Sequence, residues 1–507
     1  MTGRHARTDT TVVVPTVGRP SLLVLLERLA GQTVPLDVPV VLVDDRPEGP
    51  DLAEEVRRRL PGHGLDLRVV RAGGGGPARA RNIGWRHART TWVSFLDDDV
   101  LPGTDWHERL RVDLELAAAR DAVGSEGRIR VPLPEDRPPT DWERGTAGLE
   151  TARWITADLT YRRRDLSAVG GFDERFPRAF REDADLALRL GADRGRVLDG
   201  SRLTAHPVRP ADDWASLRQQ AGNADDYLMR AVHGPDWHVR AEAPLGRRPR
   251  HVAVAAAAAA AVGALAAGRR RTALFAAAAW LAGTADFAWA RIAPGPRDAA
   301  EVRRMALTSA AIPVAATWHS ARGIVRHRRS GPWRGLPDLV LLDRDGTLVH
   351  DVPYNGDPAL VRPVEGAREA LDRLRALGVR LGVVTNQSGI ARGLITREQA
   401  DAVNARVAEL LGPFEVVLLC PHGPEDGCAC RKPAPGMVKQ ACAELDVDPA
   451  RTVLVGDIEA DVAAAEAAGA VGVLVPTAQT RADEVDRAAL VAPSLPAAVE
   501  EIVRGRW

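Results

Sequence analysis

Two acidic side chains follow a short apolar run in the C-terminal third of the chain. Residues 339–342 are all Leu or Val and lead into Asp343 and Asp345, with Gly346 directly behind them. The run predicts a buried strand, and parallel sheets place their chemistry at the edge where such strands end. Because the acids lie two positions apart, the turn must aim both at one substrate, and Gly346 gives it backbone freedom. The pair suits a nucleophile beside a general acid–base.

Later segments of the same region bring further polar side chains to predicted strand ends. Residues 380–385 and 452–455 are predicted strands, and an Arg-Lys-Pro sequence lies between them. The polar side chains are Thr385, Asn386, Lys432, Asp457 and Asp461. Together with the first acid pair they suit phosphoryl transfer, in which carboxylates hold Mg²⁺, hydroxyl and amide groups donate to phosphate, and lysine neutralises charge.

All four cysteines of the chain lie between residues 420 and 442, which favours a metal site in a reducing compartment over a disulfide framework. Cys420, His422, Cys428 and Cys430 form a C-x-H-x5-C-x-C pattern, a full tetrahedral set for structural Zn²⁺. Such a site would fold the loop that presents Lys432. The alternative is a set of free thiols, which chelators would not affect. Cys442 is expected in the core.

These motifs, in this order, resemble the haloacid dehalogenase (HAD) superfamily, which has a Rossmann-like α/β fold. The resemblance implies that Asp343 attacks phosphorus to give an aspartyl-phosphate. Asp345 would protonate the leaving oxygen and later activate water. Thr385 and Lys432 would hold the phosphate. The magnesium ligands that the resemblance implies are Asp343, Asp345, Asp457 and Asp461.

The zinc pattern, together with TNQSGIARG and RKPAPGM, narrows the resemblance to the heptose 1,7-bisphosphate phosphatases. The short spacer between His422 and Cys428 is equally compatible with the related histidinol-phosphate phosphatases, so that substrate stays as the alternative. The substrate contacts implied by position are Asp351, Tyr354, Asn386, Gln387, Ser388 and Arg431. Ile458 departs from the heptose family, which often has Lys there, and this weakens the substrate assignment more than the reaction.

A second acidic cluster lies near residue 100. Asp97, Asp98 and Asp99 close an apolar predicted strand, and three adjacent carboxylates repel one another unless a cation or ordered water compensates. Oxygen ligands of this kind suit Mg²⁺ or Mn²⁺ held together with substrate phosphates. Strands and helices alternate up to this point, which predicts a mostly parallel sheet. A glycine-rich segment at residues 73–84 carries Arg81, which could meet a diphosphate.

The first 230 or so residues resemble a family 2 glycosyltransferase of the GT-A fold, through VVVPTVGRP, VLVDD, ARARNIG, FLDDD, GGFDERF and FREDADLALRL. The resemblance implies that Asp44 and Asp45 face the nucleotide and that Asp183 is the base that deprotonates the acceptor. Asp97 and Asp99 would hold the metal, and His206 is either a further ligand or an exposed histidine. No QxxRW sequence follows, which argues against a processive synthase. The alternative is a non-catalytic nucleotide-sugar-binding module.

The chain of 507 residues is long enough for several domains. The predicted domains are residues 1–235 (glycosyltransferase), 236–335 (an Ala- and Arg-rich helical segment) and 336–507 (phosphatase). Its 68 basic and 68 acidic residues cancel, so no global field recruits nucleic acid, and the expected partners are sugar phosphates and nucleotide sugars. The polar N-terminus predicts no signal peptide and a cytoplasmic location.

The middle segment has two interpretations. Residues 252–267 and 273–285 are rich in alanine and shorter than the roughly 20 apolar residues of a spanning helix. Either residues 250–325 associate with the inner face of a membrane, or they form a helical bundle packed between the catalytic domains.

Overall fold

The computed structural model of the chain describes residues 9–244 and 246–507. The fold divides into two compact units. The first runs to Asp165 and resumes from Phe172 to Trp333, and the second combines Leu166–Gly171 with Arg334–Trp507. The alanine-rich middle segment is therefore part of the first unit. Residues 1–8, which carry part of the evidence against a signal peptide, lie outside the described residues.

A mixed eight-stranded sheet forms the centre of the first unit, in the order β3-β2-β1-β4-β7-β6-β8-β5. Its strands are β1 (Thr10–Thr16), β2 (Val40–Asp44), β3 (Leu67–Arg71), β4 (Trp92–Leu96), β5 (Leu101–Pro102), β6 (Gly124–Arg130), β7 (Asp158–Arg162) and β8 (Val197–Ala205). The four strands from β3 to β4 are parallel, as expected. From β7 onward the directions are mixed, because the regular alternation of strand and helix stops after β4.

Within residues 9–244, ten α-helices accompany this sheet and the loops that extend from it. They are α1 (Ser21–Ala30), α2 (Leu52–Arg59), α3 (Pro77–His87), α4 (Trp106–Ala119), α5 (Asp141–Ala147), α6 (Arg163–Ala168), α7 (Glu182–Arg189), α8 (Ala215–Arg218), α9 (Asp225–His233) and α10 (Trp237–Arg240). Helix α1 shows why they pack: its leucines at positions 22, 25, 26 and 29 lie on one face and are buried against β1 and β2.

Three longer helices complete the first unit: α11 (Arg248–Ala266), α12 (Arg270–Ile292) and α13 (Ala299–His327). Helices α11 and α12 pack against each other as a hairpin, and α13 also packs on α8 and α9. Both helices of the hairpin are long and apolar enough to cross a membrane, yet only 11% and 6% of their most apolar windows is buried.

The second unit is built on a parallel five-stranded sheet in the order β11-β10-β9-β12-β13. Its strands are β9 (Leu339–Leu342), β10 (Arg380–Asn386), β11 (Val416–Cys420), β12 (Thr452–Gly456) and β13 (Val471–Leu474). Its helices are α14 (Ala367–Ala376), α15 (Arg397–Leu411), α16 (Gly436–Glu444), α17 (Glu459–Ala468), α18 (Ala482–Arg487) and α19 (Leu495–Val503). Because β9 lies between β10 and β12, the carboxyl ends of all three meet at one edge of the sheet.

Candidate active sites and metal centres

The acids that follow β9 and β12 converge at the carboxyl edge of the second sheet. Asp343, Asp457 and Asp461 are buried, and their carboxylate oxygens lie within 4.8 Å of one another. Gly346 makes this approach feasible, because its φ is +82° and a Cβ there would lie 2.3 Å from Asp457 Oδ2. Oxygen-only ligands around a small space fit a hard divalent cation such as Mg²⁺.

The buried acids are costly to ionise without a cation. Burial raises the pKa of Asp343 to about 8, with the charges of Asp461 and Asp345 adding to the effect and that of Lys432 opposing it. Burial and the nearby Asp461 raise the pKa of Asp457 to about 7. This concentration of carboxylates at one point is typical of a site that binds positive charge.

Lys432 supplies part of that charge. Its buried ammonium group donates to Asp343, lies 2.6 Å from Asp461 Oδ1 and donates to the Val384 carbonyl at 2.8 Å. Although burial opposes it, the carboxylates of Asp343 and Asp461 raise the pKa of Lys432, which stays charged. The ammonium group of Lys432 therefore lies beside Asp343, the predicted nucleophile.

Asp345 is oriented separately from the acid cluster. Arg344 donates to both of its carboxylate oxygens, at 3.0 and 2.8 Å. Gln387 Nε2 donates to Asp345 Oδ2 at 2.8 Å and to Thr385 Oγ1 at 2.9 Å. The side chain of Asp345, which the sequence analysis included among the magnesium ligands, is therefore not in the group of Asp343, Asp457 and Asp461 that could hold a cation. It is held in one orientation by Arg344 and Gln387.

The predicted substrate contacts divide into two groups. Asn386 donates to the Lys432 carbonyl and Gln387 donates to Asp345, whereas Asp351 and Tyr354 are exposed. Arg392, which the sequence analysis did not single out, donates to the Tyr354 hydroxyl and lies over its ring. Ser388 lies in the loop that follows β10 and is partly exposed.

The cysteine-rich loop forms a compact four-ligand cluster. Cys430 Sγ lies 3.3 Å from both Cys420 Sγ and His422 Nδ1, and the other neighbouring pairs are 3.5–3.6 Å apart. Ligands at ~2.3 Å from a tetrahedral zinc ion are separated by roughly 3.5–3.8 Å, so the cluster fits that metal. Arg431 donates to the His422 carbonyl at 3.2 Å, which ties it to the loop.

Cys442 lies apart from this cluster. It is buried in the core of the second unit, beside Thr452 Oγ1 at 3.4 Å. Three cysteines of the chain are therefore available to the metal and the fourth is a core residue.

In the first unit, the acids after β4 point in two directions. Asp97, Asp99 and His206 offer ligand atoms that lie within 4.8 Å of one another. Asp98 turns away from them, because Thr16 Oγ1 and Arg19 each donate to it at 2.7 Å. Asp97 and Asp99, the first and third acids of the triplet, are therefore the ones that could share a cation. Arg209, which carried no recognisable sequence signal, donates to Asp99.

Arg81 connects the acids after β4 to those that begin α7. It is buried and donates to Asp97 at 2.7 Å and to Glu182 at 2.8 Å. Burial, with the neighbouring Asp183, raises the pKa of Glu182 to about 8, and burial also raises the pKa of Asp183. A carboxylate with a raised pKa is a better proton acceptor, which suits a general base.

The two acids at the carboxyl end of β2, Asp44 and Asp45, are hydrogen-bonded to other parts of the protein. Arg46 donates to both oxygens of Asp44 and, although burial opposes it, lowers the pKa of that carboxyl. Asp45 accepts from the backbone amides of Gly74, Gly75 and Gly76 at 2.8–3.0 Å. The glycine-rich segment is therefore held in one conformation by Asp45.

A cavity of about 600 Å³ brings the first unit's acids together. Its walls include Asp97, Asp183, His206 and Arg209, and also Trp142 of α5. Asp45 and Asp98 line a smaller adjoining cavity of about 190 Å³ that also contains Arg81 and Arg209. The larger volume lies in the usual range of small-molecule sites, and Asp97 lines both cavities.

Comparisons with known proteins agree with this division. The profile of glycosyl transferase family 2 matches residues 11–167, and a HAD-hydrolase-like profile matches residues 429–498. The D-glycero-beta-D-manno-heptose-1,7-bisphosphate 7-phosphatase of Bordetella bronchiseptica is 38% identical over 152 residues, which cover 28% of this chain and 83% of that protein. The Pseudomonas putida enzyme of the same name is 35% identical over 178 residues, which cover 32% of this chain and 99% of that protein.

Two solved structures are also similar to parts of the chain. The crystal structure of the D,D-heptose 1,7-bisphosphate phosphatase from B. bronchiseptica, complexed with magnesium and phosphate, has 33% identity and a TM-score of 0.31, and covers 33% of this chain and 99% of that one. The mannosyltransferase PcManGT from Pyrobaculum calidifontis, in complex with GDP-Man and Mn²⁺, has 20% identity and a TM-score of 0.41, covering 62% and 88%.

The folds and sites define the chain as a two-part enzyme, with a family 2 glycosyltransferase domain followed by a HAD-like phosphatase domain. The chain belongs, through that domain, to the D-glycero-beta-D-manno-heptose-1,7-bisphosphate 7-phosphatase family.

Proposed function

We propose that the second unit is a Mg²⁺-dependent phosphatase that removes the 7-phosphate of D-glycero-D-manno-heptose 1,7-bisphosphate. The main support is the convergence of Asp343, Asp457 and Asp461 beside the buried Lys432. Two relatives that this chain matches over most of the relatives' own length are named for this activity. Bound Mg²⁺ would neutralise charge on the phosphate oxygens.

In the proposed reaction, a carboxylate oxygen of Asp343 attacks phosphorus, and the bond from phosphorus to the sugar oxygen breaks. Asp345, held by Arg344 and Gln387, gives its proton to the departing oxygen. A water molecule then loses a proton to Asp345 and attacks the aspartyl-phosphate, which releases inorganic phosphate and restores Asp343. Lys432 and Thr385 would donate to the phosphate oxygens during both steps.

The substrate is tested by phosphate release from purified full-length protein in the presence of Mg²⁺. We expect heptose 1,7-bisphosphate to react far faster than histidinol phosphate, and the reverse order would favour the histidinol-phosphate phosphatases. Asp343→Asn should abolish release, whereas Asp372→Asn, at an exposed position on α14, should not. Full activity of Asp343→Asn would contradict the aspartyl-phosphate mechanism.

For the first unit, we propose transfer of a sugar from a nucleotide sugar, with Asp97 and Asp99 holding Mg²⁺ or Mn²⁺. An acceptor oxygen would attack the anomeric carbon while the bond to the diphosphate breaks, so that the nucleoside diphosphate leaves. Asp183 would take the acceptor's proton. Asp97 and Asp183 line one cavity, and Asp99 belongs with Asp97 to the group that could hold a cation; both observations support the assignment.

Transfer from a panel of radiolabelled nucleotide sugars tests this activity. Asp183→Asn should lose transfer but keep donor binding, and Asp66→Asn, at an exposed position before β3, should keep both. If the unaltered protein binds a nucleotide sugar and transfers none of it, the domain is a binding module that accompanies the phosphatase.

We also propose that the protein works in the cytoplasm, at the inner face of a membrane. In the described part of the chain none of the four cysteines forms a disulfide, which suits a reducing compartment. The exposed α11–α12 hairpin supports the membrane location. Cell fractionation checks the compartment and the membrane location together. Recovery from an oxidising compartment would contradict the cytoplasmic location, and recovery away from the membrane fraction would contradict the membrane location.

A further inference from the structure

The α11–α12 hairpin leaves a large apolar surface uncovered. Its large side chains are 57–79% exposed at Val262, Leu265, Leu274, Phe275, Leu281 and Trp289. Apolar residues surround both helices and are not confined to one face. Soluble proteins rarely expose a continuous apolar surface of this extent. A groove on a partner protein would cover one side only, whereas a lipid bilayer surrounds a helix completely.

Charged side chains lie only at the two ends of this hairpin. Residues 252–268 and 272–285 carry none. Arg269 lies in the turn between the helices, and Arg270 and Arg271 begin α12. At ~1.5 Å per residue the longer section spans about 25 Å, which approaches the ~30 Å hydrocarbon thickness of a bilayer. Arginine side chains reach outward to phosphate head groups from such positions. The charge distribution therefore fits a membrane-embedded hairpin.

The other end of the hairpin is fixed to the cavity of the first unit. Arg291, buried near the end of α12, contacts Asp141 at 2.8 Å and Ser216 at 3.0 Å, and both residues line that cavity. Arg144, another wall residue, donates to the Arg291 carbonyl at 2.7 Å. Thr308 of α13 accepts from Arg291 at 2.8 Å. The cavity wall thus lies at the base of the apolar hairpin.

From this arrangement, and resting on the transferase function proposed above, we infer the acceptor's chemical class. The hairpin is embedded in a lipid bilayer, and the acceptor is a lipid whose hydroxyl or phosphate head group enters the cavity. Its apolar part stays in the bilayer. Arg291 is a positioning residue that holds the cavity wall at the membrane surface.

Vesicle flotation tests the membrane part. Full-length protein is mixed with vesicles of phosphatidylglycerol and phosphatidylethanolamine at high salt and separated on a density gradient. The parent should float with the vesicles. The double variant Phe275→Glu with Leu281→Glu should float at least ~10-fold less, because charged side chains are costly in hydrocarbon. Val112→Glu, at a position 57% exposed on α4, is the matched control and should float like the parent.

A parent protein that stays at the bottom of the gradient would overturn the membrane part, including the case in which it self-associates without lipid. Flotation that occurs at low salt but is lost at high salt would overturn it too, because that result indicates attraction to surface charge alone.

The acceptor is tested with a radiolabelled nucleotide sugar that the protein hydrolyses. Vesicles doped with a polyprenyl phosphate or a diacylglycerol are compared with soluble methyl glycosides, and transfer is measured as label extracted into organic solvent. We expect transfer to a doped vesicle only. Arg291→Met should reduce that transfer roughly 10-fold while donor hydrolysis and flotation persist, and Arg303→Met, at an exposed position on α13, should not.

Each failure has a distinct meaning. Donor hydrolysis with transfer to soluble glycosides alone would overturn the lipid acceptor. Absence of both hydrolysis and transfer would count against the transferase function, and flotation would still decide the membrane part. Arg291→Lys provides a second variant if Arg291→Met does not fold.

Discussion

Asn386 and Lys432 exchange two hydrogen bonds, although they lie 46 positions apart in the chain. The side-chain amide nitrogen of Asn386 (Nδ2) donates to the backbone carbonyl of Lys432 at 3.0 Å, and the backbone N–H of Lys432 donates to Asn386 Oδ1 at 3.1 Å. The side chain of a residue at the end of β10 thereby fixes the backbone that carries the buried ammonium group. A residue expected to contact substrate is thus committed to another catalytic-site residue.

Replacement of Asn386 should therefore act through Lys432. Asn386→Ala removes both bonds, each worth about 1 kcal/mol, and should lower kcat for phosphate release roughly 10- to 100-fold with a smaller effect on KM. Measurement in the Lys432→Ala background provides the control, because the second substitution should then add little. Equal effects in both backgrounds would indicate a direct substrate contact.

Loss of the Lys432 ammonium group should affect stability as well as activity. Lys432→Met leaves two buried carboxylates facing each other without their cation, which costs roughly 3–5 kcal/mol in the second unit. We expect a lower Tm, which Mg²⁺ should raise by more than it raises that of the parent. Lys439→Met, on the exposed side of α16, is the matched control. An unchanged Tm would contradict the ion pairing described here.

Zinc should be structural and required for the phosphatase alone. Cys428→Ser should lose about one equivalent of zinc by elemental analysis and most phosphate release, since the loop that carries Arg431 and Lys432 loses its anchor. Cys442→Ala should retain the metal. After chelation, excess Mg²⁺ alone should not restore activity, whereas Zn²⁺ with Mg²⁺ should. Full zinc content in Cys428→Ser would contradict the ligand set.

The pH dependence of stability should change when Glu126 is replaced. Burial raises the pKa of Glu126 from 4.5 to about 7, although the Trp154 amide and Arg153 oppose the effect. The folded state therefore binds this proton more tightly, and the associated stability is lost as the pH rises between those values. Glu126→Gln should become more stable relative to the parent between about pH 5 and pH 8, by up to roughly 3 kcal/mol.

Scanning calorimetry at about pH 5 and pH 8 measures the stability difference between Glu126→Gln and the parent. Glu115→Gln, at an exposed position on α4, is the control. A constant difference in Tm between Glu126→Gln and the parent would show that the pKa of Glu126 is not raised in the folded protein.

Much of the second unit follows from local sequence. Short apolar runs that end in Asp343, Thr385 and Asp457 identify parallel strands, and parallel strands must deliver their carboxyl ends to one edge of the sheet. The cysteine spacing likewise identifies a compact four-ligand loop. Such features depend on neighbours within a few residues, so they can be read from the chain.

Side-chain pairing depended on the tertiary structure. Nothing near Arg209 in the sequence indicates that it reaches Asp99, and nothing near Asn386 indicates that its amide holds Lys432. The hairpin shows the same division. Alanine-rich composition predicts its helices, but whether they are covered is a property of the packed molecule. Hydrogen bonds and burial between distant residues are set by how whole elements pack, and local periodicity carries no information about that.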